Sequence, residues 1–531
     1  MSETLSSPES AAQRRGLRAL EVSEGALRRP HPLEELGVID LGSNSARLAI
    51  YAAGPVGPPW TVYESKELPR LGTGLDARGR LTAAARKGAL ETLERFGKIL
   101  DDRRVHRRAA VATGVMRQAE NRARFLAEVR SRTRLPLRVI SAQEEAYYAF
   151  LGVRSSLILG DDLLADLGGG TLQLLRVEGG EPGRALSLPL GALRMHQEFL
   201  HNDPPKRREV QELREFVDAA LEASGPWTDP PPQRLVGVGG TFRAAGHLLE
   251  ASHRYPLTRV HGLEIPRRFL TRESLRLGEM TVEERREVPG VSADRADILL
   301  AGFLVIDRLL RRLSLKRFTV SACGIREGLA QELLGRPAPQ SRTDLAWGSA
   351  RSMAWGFHLS SRHGERVQRL ALELNGLLHD ETGPHEETRL ALSVAGILHD
   401  VGTVVSYPEH PAHSRYLVEN HPLYGLTHRE IVLASLAVAQ HEGDELPSGA
   451  LGRFRGLLKP DELPRVRRLG AILAIAESLA ESRPPPQVHR KGDVLSFRVA
   501  RGIPPAPRAF LRARRFFKRS FGLEVHLGVL R

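Results

Sequence analysis

The chain has 531 residues, too many for a single core, and its length divides into about three or four domains. With 41% apolar residues, a single cysteine and no run near the roughly 18 uncharged apolar residues of a membrane helix, it reads as a globular cytoplasmic protein. The cysteine count excludes an internal disulfide, a thiolate zinc cluster and an iron–sulfur centre.

The net charge of +14 implies polyanionic company, and its distribution is uneven. From Arg490 to Arg531 eleven Lys and Arg stand against Asp493 and Glu524, so +9 lies in this last segment.

Residues 1–32 are rich in Ser, Ala, Glu and Arg, lack a signal-peptide apolar core, and read as a mobile tail. From Gly37 the pattern becomes strand, tight loop, strand: Val38-Ile39-Asp40-Leu41, a Gly-Ser-Asn-Ser turn, then Ala46 to Tyr51. The design returns at Leu164 to Leu167, with Gly168-Gly169-Gly170-Thr171 and Leu172 to Val177. Two Asp-Leu-Gly hairpins with their Asp residues 126 positions apart suggest a duplicated unit. Between them Leu81–Leu100 has helical spacing, Ala109–Thr113 is a short strand, and Val139-Ile140 leads into a helix near Ala142.

Leu235–Val238 then meets a third glycine turn, Gly239-Gly240-Thr241, and a helix. Ile298–Leu310 is an apolar helix, and Phe318–Ser321 a strand ending near the lone Cys323. That cysteine lies in an apolar stretch and reads as core rather than as a nucleophile. Strands alternating with helices argue for an α/β architecture as far as about residue 335. After a Pro-rich linker at 335–341 nearly every segment is helical: Leu345–Leu359, Val367–Leu378, Thr388–Leu398, Arg429–Gln440 and Val466–Leu479. A triple proline at 484–486 precedes a small basic module. The expected divisions are therefore 33–162, 163–335, 342–483 and 488–531.

In the hairpin loops the glycines allow backbone N–H groups to approach a phosphate, the Ser, Asn and Thr side chains donate further hydrogen bonds, and the Asp can anchor a hydrated metal. One such loop is weak evidence; two with the same opening, and a third glycine turn, are not.

Val38 to Ser45 resembles the first phosphate motif of the exopolyphosphatase/guanosine pentaphosphatase family, within the actin, sugar-kinase and heat-shock ATPase superfamily. The likeness continues through Arg70–Leu75, Ala112–Arg117, Val139–Ala146, Asp166–Thr171, Gly237–Thr241 and Ser321–Gly328. It implies two actin-like (ribonuclease H-like) α/β domains. An all-α HD-like domain and a small α+β C-terminal module would follow. It further implies Glu145 as catalytic base, with Glu144 facing elsewhere, and Asp40 and Asp166 as holders of Mg²⁺ or another divalent cation. Ser43, Asn44, Ser45, Gly168, Gly169, Gly170, Thr171, Gly239, Gly240 and Thr241 would form the phosphate cradle, and Arg117 would clamp a phosphate.

The implied activity is hydrolysis of terminal phosphate from inorganic polyphosphate. Guanosine pentaphosphate is the alternative substrate, and a non-catalytic sensor of either is a second alternative. A homodimer is implied, and nucleic-acid binding is disfavoured. One residue departs from the family pattern: Gln173 stands where a Glu is common.

His399-Asp400 resembles the central pair of the HD-type phosphohydrolase fold. With His363, His441 and Glu477 it forms a possible second divalent-metal site, and His413 and His428 stand nearby in sequence; histidines on a structural scaffold are the alternative. Arg512, Arg514, Arg515, Lys518 and Arg519, interleaved with phenylalanines, suggest an amphipathic helix whose basic face could follow a long polyanion.

Overall fold

The computed structural model describes residues 33–529 apart from 77, 226–229, 360, 384 and 500–506; the predicted tail lies outside the described residues. The first apolar hairpin forms β1 (Glu34–Leu41) and β2 (Ala46–Ala53). These join β3 (Trp60–Glu67), β4 (Arg107–Ala112) and β5 (Leu137–Val139) in the order β3-β2-β1-β4-β5. β4 runs parallel to β1, and the helix Ala83–Asp102 that connects β3 to it begins where the Thr82 side chain accepts a hydrogen bond from the Ala85 amide at 3.2 Å. Its buried stripe, Leu90, Leu93, Phe96 and Leu100, belongs to the same core as β1 and β2.

The second sheet contains β6 (Asp162–Leu167), β7 (Leu172–Glu178), β8 (Glu181–Leu188), β9 (Arg234–Val238), β10 (Glu264–Pro266) and β11 (Arg317–Val320), in the order β10-β11-β9-β6-β7-β8. The run β8-β7-β6-β9 repeats β3-β2-β1-β4 with the same parallel and antiparallel pairings, as the duplicated hairpins led one to expect. Asp40 and Asp166 are each the penultimate residue of their strand, at the carboxyl ends where open α/β sheets bind ligands.

The contiguous divisions 33–162 and 163–335 do not coincide with the packing. Helix Ala142–Arg154 places Ala146, Phe150 and Val153 against Leu164, Val177 and Val236 of the second sheet. Helix Ile325–Leu334 returns Leu329 and Ala330 to Leu36, Val38 and Val111 of the first. The two helices cross where Gly152 and Gly328 remove side chains. A Cβ on Gly152 would meet the Gly324 carbonyl oxygen at 2.0 Å, and one on Gly328 the Tyr148 carbonyl oxygen at 1.9 Å.

The predicted helices of the C-terminal half appear as Arg342–Gly356, Ser361–Leu377, His385–Leu398, His428–Val438 and Leu463–Leu479, joined by an unforeseen helix His410–Asn420. The basic module is β12 (Gln487–Lys491), β13 (Val494–Val499), helix Pro507–Phe521 and β14 (Glu524–Val529), with β13 and β14 parallel on either side of the helix. It has no core of its own. Phe510, Phe516 and Phe517 are buried in the same cluster as Val466, Leu469 and Ile472, so 342–483 and 488–531 share one apolar interior.

Candidate active site

The two hairpin loops close alike: the Gly42 amide donates to the Ser45 carbonyl at 2.9 Å, and the Gly168 amide to that of Thr171 at 3.0 Å. They face each other across a cleft lined by Ser43, Asn44, Ser45, Gly168, Gly169, Gly170, Thr171, Gly239 and Gly240, together with Asp40, Asp166 and Glu145. The first loop is braced from outside. Gly72 donates its amide to the Ser43 carbonyl at 2.7 Å, and the Ser43 hydroxyl accepts from the Val115 amide at 3.2 Å. Gly114, with φ of +46°, lies so near that a Cβ would reach the Ser43 oxygen at 2.4 Å. The Arg70–Leu75 and Ala112–Arg117 motifs thus support the phosphate loop.

One wall is acidic. Helix Ala142–Arg154 starts with a reciprocal cap: Ser141 accepts from the Glu144 amide at 3.1 Å, and the Glu144 carboxylate accepts from the Ser141 amide at 2.8 Å. Glu144 also pairs with Arg138 at 2.7 Å, so it faces away as expected, while Glu145 turns into the cleft. Burial raises the Glu145 carboxyl above its ordinary value against the lowering effect of Arg117. Asp40 is raised chiefly by burial, and its Oδ1 is buried without a hydrogen-bond partner. Asp166 is pushed up to about 7 by burial and then by Glu145 and Asp40. Three carboxylates that raise one another, one with an orphaned oxygen, fit a divalent cation held by Asp40 and Asp166. Gln173 is buried on β7 directly opposite Asp166, so the missing carboxylate of this departure falls beside the metal position.

The other wall is basic, and most of it escaped the sequence reading. Arg47, Arg243, Arg295 and Arg326 line the same cleft. Burial, and then Arg47, Arg326 and Arg295, push Arg243 down to about 10. Such a cluster is short of negative charge and suits a polyanion. Arg326 and Arg47 share Glu64 at 2.6 and 3.3 Å, and Arg295 lies over Gly240, where a Cβ would touch its guanidinium. Of the four, only Arg326 stood in a quoted motif; the others come from four separate elements that spacing does not connect. In the same motif Glu327 accepts from the Gly324 amide at 2.7 Å and from the Tyr51 hydroxyl at 2.5 Å, which anchors the crossing helix.

Two expected cradle residues are placed differently. Arg117 is not in the cleft lining; its Nη1 donates to Glu145 at 2.5 Å and to the Ile140 carbonyl at 3.3 Å, so it orients the base instead of clamping phosphate. Thr241 is buried beneath Gly302, because the glycine turn continues at once into helix Gly240–His253 and directs that side chain inward. Cys323 is buried, and burial pushes its thiol up to about 12, in keeping with a core residue.

In the C-terminal half His363, His399, Asp400 and Glu477 come together as expected. His441 joins Asp400 with His410, which the sequence did not single out, and His413 and His428 lie in neither group. Four of the five basic helix residues face acids: Arg512 pairs with Asp444, Arg519 with Glu445, and Arg514 and Lys518 with Glu524. Among the described residues Arg515 is exposed and forms no ion pair. The basic face is therefore partly neutralised. Among the described residues no helix is long and apolar enough to cross a membrane.

Comparison with known proteins bears on this geometry. Residues 50–336 match the model of the Ppx/GppA phosphatase family, and residues 348–490 the model of Ppx/GppA phosphatase, domain III. Exopolyphosphatase 1 of Mycobacterium tuberculosis is 35% identical over 303 residues, which are 55% of this chain and 86% of that protein. Exopolyphosphatase 1 of Mycobacterium leprae is 34% identical over 55% of this chain and 88% of its own length. Among solved structures, the Ppx/GppA family member of Aquifex aeolicus aligns with a TM-score of 0.52 at 30% identity, over 57% of this chain and 99% of that one. An exopolyphosphatase from Cytophaga hutchinsonii aligns with the same score at 26% identity, over 57% and 99%.

Proposed function

The chain belongs to the Ppx/GppA phosphatase family, and from that premise we propose that it is a cytoplasmic, Mg²⁺-dependent exopolyphosphatase that removes terminal phosphate from inorganic polyphosphate. The observation that carries this reading is the cleft itself, where three carboxylates and four arginines meet between two phosphate loops.

A terminal phosphate seated between the loops receives backbone N–H groups from both, and the arginine wall balances the charge of the units behind it. Glu145, with its raised pKa and one oxygen held by Arg117, accepts the proton of a water aligned with the terminal phosphorus. The phosphoanhydride P–O bond breaks as the water oxygen bonds to phosphorus, and orthophosphate leaves a chain one unit shorter. Little further covalent work is needed, because phosphoryl transfer relies on positioning and charge. A divalent ion held by Asp40 and Asp166 would supply positive charge beside the reacting oxygens.

The helical half, matched by domain III of the same family, is read as HD-like. Guanosine pentaphosphate presents the same terminal chemistry and is the comparison substrate. Glu145→Gln should lower the turnover number by about 10²- to 10⁴-fold with the Michaelis constant nearly unchanged; near-normal turnover would remove Glu145 from the mechanism.

A further inference from the structure

A cluster of histidines in the C-terminal half plays no part in the cleft chemistry. His363 comes from helix Ser361–Leu377, His399 and Asp400 follow helix His385–Leu398, and His410 opens helix His410–Asn420. His441 follows helix His428–Val438, and Glu477 lies on helix Leu463–Leu479.

All four imidazoles are oriented by the same device. Nδ1 of His399 lies 3.0 Å from the Gly396 carbonyl, that of His410 3.0 Å from the Tyr407 carbonyl, and that of His441 2.7 Å from the Val438 carbonyl. Nδ1 of His363 lies 2.9 Å from Glu481 Oε1. Carbonyl and carboxylate oxygens only accept, so each Nδ1 carries the proton and each Nε2 is left to face inward. This outer hydrogen bond is the one that prepares imidazole for a metal.

The inward atoms crowd together. His363 and His399 bring their Nε2 atoms to 3.2 Å, and His410 and His441 theirs to 2.9 Å. Neutral rings of this tautomer would oppose lone pair to lone pair at those distances, so positive charge must stand between them.

The carboxylates divide the cluster in two. Glu477 Oε2 is 2.9 Å from His363 Nε2 and 2.8 Å from His399 Nε2. Asp400 turns one oxygen to each half: Oδ2 lies 3.4 Å from His399 and 3.8 Å from His363, and Oδ1 lies 3.2 Å from His410 and 3.5 Å from His441.

We propose that these six residues form a dinuclear site for first-row divalent cations, separate from the phosphate cleft. His363, His399, Glu477 and Asp400 Oδ2 hold one ion; His410, His441 and Asp400 Oδ1 hold the other, and the Asp400 carboxylate bridges them. A bridging carboxylate suits the separation of about 3.5–4 Å found in two-metal sites. Four imidazole nitrogens favour Mn²⁺, Fe²⁺, Co²⁺ or Zn²⁺ over Mg²⁺, which prefers an all-oxygen shell. His399 and His441 are 1% exposed at the side chain while Asp400 is 35% exposed, so the pair opens to solvent at its bridge and retains places for water.

The test is metal content at equilibrium. The chelator-stripped full chain is dialysed against Mn²⁺, and bound manganese is counted per chain by mass spectrometry. Any ion in the cleft contributes equally to wild type and variants, so the differences report this site. His363→Gln and His410→Gln should each bind one ion fewer than wild type, and Asp400→Ala two fewer. The wild type should also show an exchange-coupled Mn²⁺ pair by electron paramagnetic resonance that both histidine variants lose. Unchanged circular dichroism and polyphosphate hydrolysis in Mg²⁺ serve as the folding control. If Asp400→Ala does not fold, the two histidine variants still address the two halves separately. Equal manganese in wild type and the histidine variants would overturn the proposal in favour of a protonated histidine scaffold. A loss of only one ion in a folded Asp400→Ala chain would overturn the bridge.

Discussion

Gly328→Ala tests whether the crossing of two helices sets the catalytic geometry. The added Cβ would start 1.9 Å from the Tyr148 carbonyl oxygen, whereas real Cβ atoms essentially never approach closer than 3.0 Å. The obstacle is backbone, so no side chain can rotate away, and helix Ala142–Arg154 must shift by roughly 1.1 Å relative to helix Ile325–Leu334. Glu145 lies one turn before Tyr148 on the displaced helix, while Asp40 and Asp166 stay on their sheets. A misplacement of about 1 Å costs on the order of 10²-fold in rate, and overpacking about 1–3 kcal/mol in stability. Steady-state phosphate release from long-chain polyphosphate should therefore show a turnover number about 10²-fold lower, with the Michaelis constant changed much less, because both phosphate loops lie off the shifted helix. Wild-type turnover in a folded Gly328→Ala chain would refute the view that this contact positions the base.

The remaining expectations concern metal, pH and charge. Gln173→Glu places a carboxylate opposite Asp166, so half-saturation should occur at lower Mg²⁺; a curve that stays put or moves to higher Mg²⁺ means that this position does not touch the ion. Because Asp166 is raised to about 7 in the metal-free protein, protons compete with the cation below that value. The Mg²⁺ needed for half-activity should rise about tenfold per pH unit below about 7 and level off above about 8, and equal requirements at pH 6 and pH 8 would contradict the assignment. Replacing Arg512, Arg514, Arg515, Lys518 and Arg519 by Gln should raise the Michaelis constant for long-chain polyphosphate about 3- to 10-fold at low salt. The effect should fade at high salt and spare short oligomers; equal losses on short and long substrates would point to damaged folding.

The duplicated α/β design was legible because each repeat opens with a short apolar run, an Asp and a glycine loop, all local in sequence. Asp40, Asp166, Glu145 and the two loops could be found for the same reason, and they do share one cleft. The arginine wall was not legible, since Arg47, Arg243 and Arg295 meet only after the two sheets close together, and isolated arginines in a basic chain carry no signal. Arg117 was misjudged because its motif gives its place in the chain but not the direction of its side chain, which Glu145 captures. The exchange of helices Ala142–Arg154 and Ile325–Leu334 between sheets was hidden because sequence order suggests contiguous domains, while burial is decided by the glycine crossing. The strands of the C-terminal module were missed because Gln487–Lys491 has only Val488 facing the core.

The most direct test of the central claim is phosphate release from long-chain polyphosphate by wild type and Glu145→Gln, with Mg²⁺ and with chelator, beside guanosine pentaphosphate under the same conditions. The account expects Mg²⁺-dependent release from polyphosphate by the wild type, exceeding that from guanosine pentaphosphate and abolished by chelation or by Glu145→Gln. Negligible release from both substrates at saturating Mg²⁺ would contradict it and leave the cleft as a binding site without turnover.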